Sequence, residues 1–389
     1  MTIEAVLGVD IGTSSSKGVL VALDGRILAT AVRNHDVSRP APGQVEMDGG
    51  VWWDEFVSIS RELLPAVPDP VVTAVGVSGM GPCVLVTDEA GAPLRPAILY
   101  GIDTRATAEI ASLTEELGQD AVVERCGSAL STQAAGPKLA WIARHEPAIA
   151  AAARRLFMPS SFLANRLTGA YMLDHHSASQ CTPMYDTATH QWYEPWAARV
   201  TEGFGEPGAS GARAGAFELP RLVWPGDVAG TVTAGAAAAT GLPEGVPVIA
   251  GTIDAWSEAL SVGAVSVGDL MLMYGTTMFL VDTTAERTTS SVLWGAVGAL
   301  PGTYNLAGGM ATSGAITGWL RTLFGSPEFT ELLAEASASG PGARGLLMLP
   351  LPSTPLAATS TAPPSRPRPS GCGITCASSG RSAVPSRAP

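Results

Sequence analysis

Leu7 Gly8 Val9 Asp10 Ile11 Gly12 Thr13 Ser14 Ser15 Ser16 Lys17 Gly18 is the stretch from which the rest of the chain is read. Apolar residues run into an aspartate, a glycine and a row of hydroxyls follow, and Val19 Leu20 Val21 Ala22 Leu23 resumes the apolar run. The pattern predicts a β-hairpin with a polar tip. Gly12 lets the backbone approach a ligand closely, and the hydroxyls and N–H groups of Thr13 to Ser16 can wrap phosphate oxygens. Asp10, at the end of a buried strand, can hold Mg²⁺ through water, since that cation keeps much of its hydration shell. An ordinary hairpin turn with a capping aspartate fits this stretch equally well. The glycine and lysine spacing of a P-loop is absent.

Outward from the hairpin, an Asp24 Gly25 turn and a third strand to Arg33 complete an antiparallel meander. Val51 Trp52 Trp53 Asp54 Glu55 Phe56 Val57 places apolar residues at helical spacing, up to a proline-rich turn at Pro65 to Pro70. Val71 to Ser78 reads as a buried strand, followed by Gly79 Met80 Gly81 Pro82 and a strand from Cys83 to Thr87. Sheet, helix and sheet again is α/β logic. Helices are predicted over 103–117, 137–145 and 160–167. A strand from Pro243 leads to Gly251 Thr252 Ile253 Asp254 and a helix from Ala255 to Leu260. Asp269 to Tyr274, the turn Gly275 Thr276 Thr277 and Met278 to Val281 form a second hairpin that echoes the first.

The chain has 389 residues and a formal charge of −12, with 46% hydrophobic and 15% charged residues. Its length suggests two domains. The acidic balance argues against a nucleic-acid or anionic-membrane partner, each of which needs a basic face, but not against a nucleotide met by Mg²⁺ and backbone N–H groups. Cys83, Cys126, Cys181, Cys372 and Cys376 show no metal-ligand spacing. With neither a signal peptide's pattern at Met1 Thr2 Ile3 Glu4 nor an apolar run of membrane-spanning length, a reduced, cytoplasmic enzyme is expected. Beyond about Leu351 the sequence becomes Pro, Ser, Ala and Thr rich without any period, and disorder is expected there.

Several blocks, in order from residue 6 to about 350, resemble the FGGY carbohydrate kinases, the actin-like group with xylulokinase, gluconokinase and glycerol kinase. They are Gly8 to Ser14, Gln44 to Trp53, Val75 to Gly79, Pro96 to Arg105, Pro137 to Ile142, Asn165 to Gly169, Ala250 to Asp254, Tyr274 to Thr277, Ala307 to Gly309 and Gly314 to Trp319. The xylulokinase side is the nearest. The resemblance implies an α/β, actin-like ATPase (ribonuclease-H-like) two-domain fold, with the second domain incomplete. Residues 1–245 would be the sugar-binding domain, 246–350 a partial ATP-binding domain and 351–389 a tail outside the family pattern. It also implies ATP and Mg²⁺ as cofactors and a small sugar as partner, and leaves a homodimer open.

Carried over residue by residue, Asp254 matches the catalytic base that takes a proton from the sugar hydroxyl, and Asp10 matches the Mg²⁺-associated carboxylate. Thr13 with Ser14, and Gly275 with Thr276, match the two phosphate-facing turns, while Gly314 and Gly318 match the adenosine side. Met80, Gly81, Asp103 and Asp254 are the expected sugar contacts. Read without the resemblance, Asp254 is an aspartate at a helix N-cap. Trp52, Trp53, Trp141, Trp256 and Trp319 are expected mostly in the core, with Trp52 or Trp53 near the sugar.

The departures are informative. Xylulokinases carry a histidine where this chain has Pro82, which offers neither donor nor acceptor, so sugar recognition differs there. Tyr100 Gly101 Ile102 Asp103 Thr104 Arg105 replaces a Trp Asn Asp x Arg block, with Arg105 equally readable as a helix-surface residue. His175 and His176 follow Asp174; adjacent strand residues face opposite ways, so they are read as polar surface or hinge residues rather than a metal pair. After Pro350 the family would run on for roughly another hundred residues. The composition that follows is what a GC-rich coding sequence gives out of frame, so a truncated or frameshifted kinase of impaired activity is expected. A sugar-binding remnant without catalysis is the alternative.

Overall fold

The computed structural model describes residues 3–205, 216–275, 278–310 and 313–346. Thr276 and the 351–389 tail, both singled out by sequence, lie outside the described residues. The chain divides into two compact units, Met1–Met271 with Val281–Ala307, and Leu272–Leu280 with Gly308–Pro389.

The first unit is built on the predicted meander. Strand β1 (Ile3–Ile11) pairs antiparallel with β2 (Ser15–Ala22), which pairs with β3 (Ile27–Asn34). On its other side β1 runs parallel to β4 (Pro70–Gly79). The sheet continues with β5 (Val228–Thr231) and β6 (Pro247–Ile249), and β7 (Thr252–Ile253) pairs with the end of β4. Residues immediately after 245 thus stay within this first sheet.

Helix α1 (Gly49–Leu63) begins at Asp48, whose side chain accepts from the Gly50 N–H at 2.9 Å. Trp52, Phe56, Ile59 and Leu63 lie on one face and are all buried. They join Leu7, Val9, Ile11 and Leu20 of the sheet in one core. Burial of each such side chain contributes about 1.5–3 kcal/mol. Trp52 meets Phe162 of α2 (Pro159–Thr168) edge to face, with ring centroids 5.9 Å apart. Its Nε1–H points at Met47 Sδ at 3.2 Å, so the ring belongs to the core. Trp53 stacks on Phe56 beneath the Arg166 guanidinium. These aromatic and sulfur contacts are the packing seen for the tryptophans expected near the sugar.

Three further segments differ from expectation. His175 and His176 are buried rather than exposed, because Asp174 caps a short helix, His175–Ser179, by accepting from the Ser177 N–H at 3.0 Å. Arg105 is also internal, with only 2% of its side chain exposed. Helix formation after Asp103 starts later than predicted, at Thr107. Among the described residues, no helix is long and apolar enough to cross a membrane.

Candidate functional site

The parallel register brings chemistry to one end of the first sheet. Asp10 lies opposite Ser78, and Thr252 lies on the far side of Ser78. Two residues after Thr252, Asp254 opens helix α3 (Asp254–Ser261), one position inside the helix with Ile253 at the cap. Asp10 and Asp254 therefore emerge from strands flanking β4. Ser78 Oγ donates to Asp10 Oδ1 at 2.7 Å, fixing that carboxylate's direction. The bend that delivers Asp254 depends on Gly251, at φ +70°. A Cβ there would fall 1.9 Å from the Val77 carbonyl oxygen.

Burial pushes the Asp254 carboxyl up to about 7; Asp10 and Glu258 add repulsion, while the Ala255 N–H, donating to Oδ1 at 2.8 Å, pulls the other way. Glu258, one turn along α3, is raised as well, by burial and then by Asp10, and lowered by Lys17. Three carboxylates thus repel one another at one strand end. Lys17, opposite Asp10 in the hairpin, offsets part of that negative charge. No cluster of three metal-ligating side chains forms among the described residues. Asp10 is the carboxylate of this group that would hold a cation such as Mg²⁺ through water, the way that ion commonly binds.

Beside the carboxylates, Thr13 Oγ1 lies 3.0 Å from Tyr100 Oη and 3.7 Å from Met80 Sδ. Burial raises the Tyr100 pKa; the Thr13 hydrogen bond opposes this, and the charge of Asp254 adds to it. Met80 is buried, and the Gly81 backbone packs so closely on Ile253 that a Cβ would meet its side chain at 2.2 Å. The structure therefore gathers Asp10, Thr13, Met80, Gly81 and Asp254 around one strand end, with exposed Ser14 on the adjoining turn.

Asp103, expected at sugar hydroxyls, has another task. Its side chain is 0% exposed. It accepts from the Val45 N–H at 2.6 Å and from Arg105 Nε and Nη2 at 3.0 and 2.7 Å. Arg105 in turn donates to Glu46 at 2.6 Å. The carboxylate is consumed in bracing two loops. Lys138 works alongside, donating to the Leu99 carbonyl at 2.7 Å, with burial pulling its pKa down to about 8. This bond supports the residue just before Tyr100.

Sequence reading missed Tyr100 and Glu258. The first stands at the aromatic position of its block, and the second sits four residues beyond Asp254, a spacing that shares a helix face. It also missed Asp174, which accepts from Thr252 Oγ1 at 2.8 Å and so ties the short His175–Ser179 helix to the strand leading into Asp254. His176 Nδ1 lies 2.6 Å from the Val297 carbonyl, and burial pushes both Asp174 and His176 toward their neutral forms.

In the second unit the Gly314 N–H donates to the Gly275 carbonyl at 2.8 Å, bringing those two expected residues together. Gly318 lies in the helix Ala315–Leu323, with open space where a Cβ would stand.

Residues 5–261 match the model of the FGGY family of carbohydrate kinases, N-terminal domain. The chain belongs to that family. It is 35% identical over 262 residues to the xylulose kinase of Streptomyces coelicolor, covering 66% of this chain and 50% of that protein. With the xylulose kinase of Escherichia coli it shares 27% identity over 346 residues, 88% of this chain and 68% of that one. The crystal structure of xylulose kinase from Rhodospirillum rubrum superposes with a TM-score of 0.82 at 32% identity, covering 89% of this chain and 69% of that one. The FGGY chain thus has the actin-like α/β ATPase fold, and it spans half the length of the Streptomyces relative.

Proposed function

We propose that this FGGY chain is an ATP-dependent carbohydrate kinase that transfers the γ-phosphate of ATP to a hydroxyl of a xylulose-type ketose or a related polyol or sugar acid. The observation that carries this reading is the delivery of Asp10 and Asp254 by the two strands that flank β4, to the same end of the sheet, with the latter's pKa raised to about 7. A carboxylate of that basicity accepts the sugar hydroxyl's proton late in the transfer, when the attacking oxygen has become acidic. Phosphoryl transfer otherwise demands position and charge neutralisation. Mg²⁺ held at Asp10 would supply the neutralisation.

In this reading Thr13 and Ser14 face phosphate oxygens from the first hairpin, and Gly275 and Thr276 are given the same role by the resemblance alone. Gly314 and Gly318 border the adenosine. Met80, Gly81 and Asp254 contact the sugar, with Asp103 supporting through Arg105 and Glu46. In this reading residues 1–245 supply most of the sugar half and the nucleotide half is drawn from 246–350, with β6, β7 and α3 of that span packed into the first unit; the enzyme is cytoplasmic, and sedimentation of the full chain tests for a homodimer.

A coupled assay of ADP release over a panel of ketoses, polyols and sugar acids tests the reading, with calorimetry on the same compounds. Turnover that disappears in Asp254→Asn supports a kinase. Sugar binding without turnover supports instead a binding remnant.

A further inference from the structure

We propose that His35 is a positioning residue for the phosphate-facing turn, holding Gly12 to Ser15 in shape by bridging the Gly12 carbonyl and Glu55 with its two ring nitrogens. His35 follows β3 directly, and its backbone N–H donates to the Ser14 carbonyl at 3.1 Å. Its Nε2 lies 3.0 Å from the Gly12 carbonyl oxygen, and its Nδ1 lies 2.9 Å from Glu55 Oε2 on helix α1. Both side chains are withdrawn from solvent, 7% and 13% exposed. The Gly12 carbonyl can only accept, so Nε2 presents its N–H to the turn, and Nδ1 is left facing Glu55. Hydrogen bonds to an ionised partner are about twice as strong as neutral ones, which makes Glu55 the anchor and the Gly12 carbonyl the group that is held.

The turn is also closed from within, since the Gly12 N–H donates to the Ser15 carbonyl at 3.1 Å. Thr13 and Ser14 thus sit between fixed points, tied on the inner side by the turn's own bond and on the outer side by His35. Groups that must meet phosphate oxygens gain from being held before the ligand arrives, because the ordering cost is already met. The choice of phosphate as the ligand rests on the function proposed above. The holding of the turn rests on the hydrogen bonds alone.

The test compares the full chain with His35→Gln and Glu55→Gln. Glutamine at 35 supplies one amide donor and turns an oxygen toward an acceptor; glutamine at 55 still faces Nδ1 with a hydrogen-bonding group, without the charge. Amide hydrogen exchange at Thr13 to Ser16 is expected to quicken by about tenfold in His35→Gln and by less in Glu55→Gln, with β2 and β3 amides beyond the turn little changed. KM for MgATP is expected to rise more than kcat falls. Turn amides that exchange no faster in His35→Gln than in the wild type would overturn the proposal, as would a fall in kcat at unchanged KM. Local loosening in a chain whose wild type turns over no MgATP would support the clamp and sink the kinase reading.

Discussion

Strand β1 and the strand Leu270–Tyr274 each run through apolar residues to a turn of glycine and hydroxyls, yet their side chains meet different surroundings. In β1, Ala5, Leu7, Val9 and Ile11 are buried, and all of the intervening residues from Val6 onward are at least half-covered. In the other, Met271 is buried while Leu270, Leu272 and Tyr274 are 60%, 56% and 70% exposed. Both strands are apolar runs in sequence. What separates them is the supply of helices: α1 and α2 bring Trp52, Phe56, Ile59 and Phe162 into the core that holds β1. A strand pattern specifies a backbone; its energy comes from whatever covers it.

The most severe way to break the better-built region is Gly251→Ala. The residue sits at positive φ, and the new Cβ would strike the Val77 carbonyl, a backbone atom that cannot step aside. Strain and overpacking together cost about 3 kcal/mol or more. A large drop in the urea midpoint of the first unit is expected, and a midpoint within error of wild type would contradict the close packing of β7 on β4.

Asp254→Asn separates stability from activity at the same strand end. Loss of a general base is worth about a hundredfold to ten-thousandfold in kcat. The stability effect has the opposite sign. A carboxyl whose folded pKa is about 7 holds its proton longer in the native state than in the unfolded chain, so stability falls as pH rises between about 4 and 7. Asparagine escapes that penalty. The variant is expected to melt higher than wild type at pH 8 and to converge with it near pH 4, while wild-type turnover climbs with pH through about 7. Equal melting temperatures at pH 8 would show that Asp254 is not destabilised by burial and by Asp10.

Asp10 and Asp254 could be singled out from sequence because each stands in an ordered block, and the meander because its apolar runs are separated by the Gly12 to Ser16 tip and the Asp24 Gly25 turn. Other features were not. Asp103 carries the signature of a ligand-binding carboxylate, but its fate is set by Val45, Glu46 and Arg105, and the first two are more than fifty residues away. His175 and His176 look polar in sequence, and their burial is decided by Val297 and by the tie between Asp174 and Thr252. Local pattern reports the backbone state, whereas enclosure depends on segments that the pattern does not contain.

The exposed strand can be sharpened by the double change Leu272→Ser and Tyr274→Ser. Contiguous apolar surface of this kind binds hydrophobic dyes and promotes association. Dye fluorescence and light scattering are expected to fall by about half, with the melting of the first unit little altered. Unchanged dye binding would mean that these side chains are covered in solution.

Gly318→Ala is the mildest test and probes the second unit from the opposite direction to Gly251→Ala. Glycine in a helix interior costs about 0.5–1 kcal/mol relative to alanine, chiefly through backbone entropy. The open space at Gly318 removes any steric reason for it, so alanine should raise the urea midpoint of the helix Ala315–Leu323 slightly. If that stability gain appears while KM for ATP worsens, the missing side chain serves a bound nucleotide, because within the described structure no neighbouring atom requires its absence. A gain with KM unchanged would take Gly318 out of the proposed adenosine border.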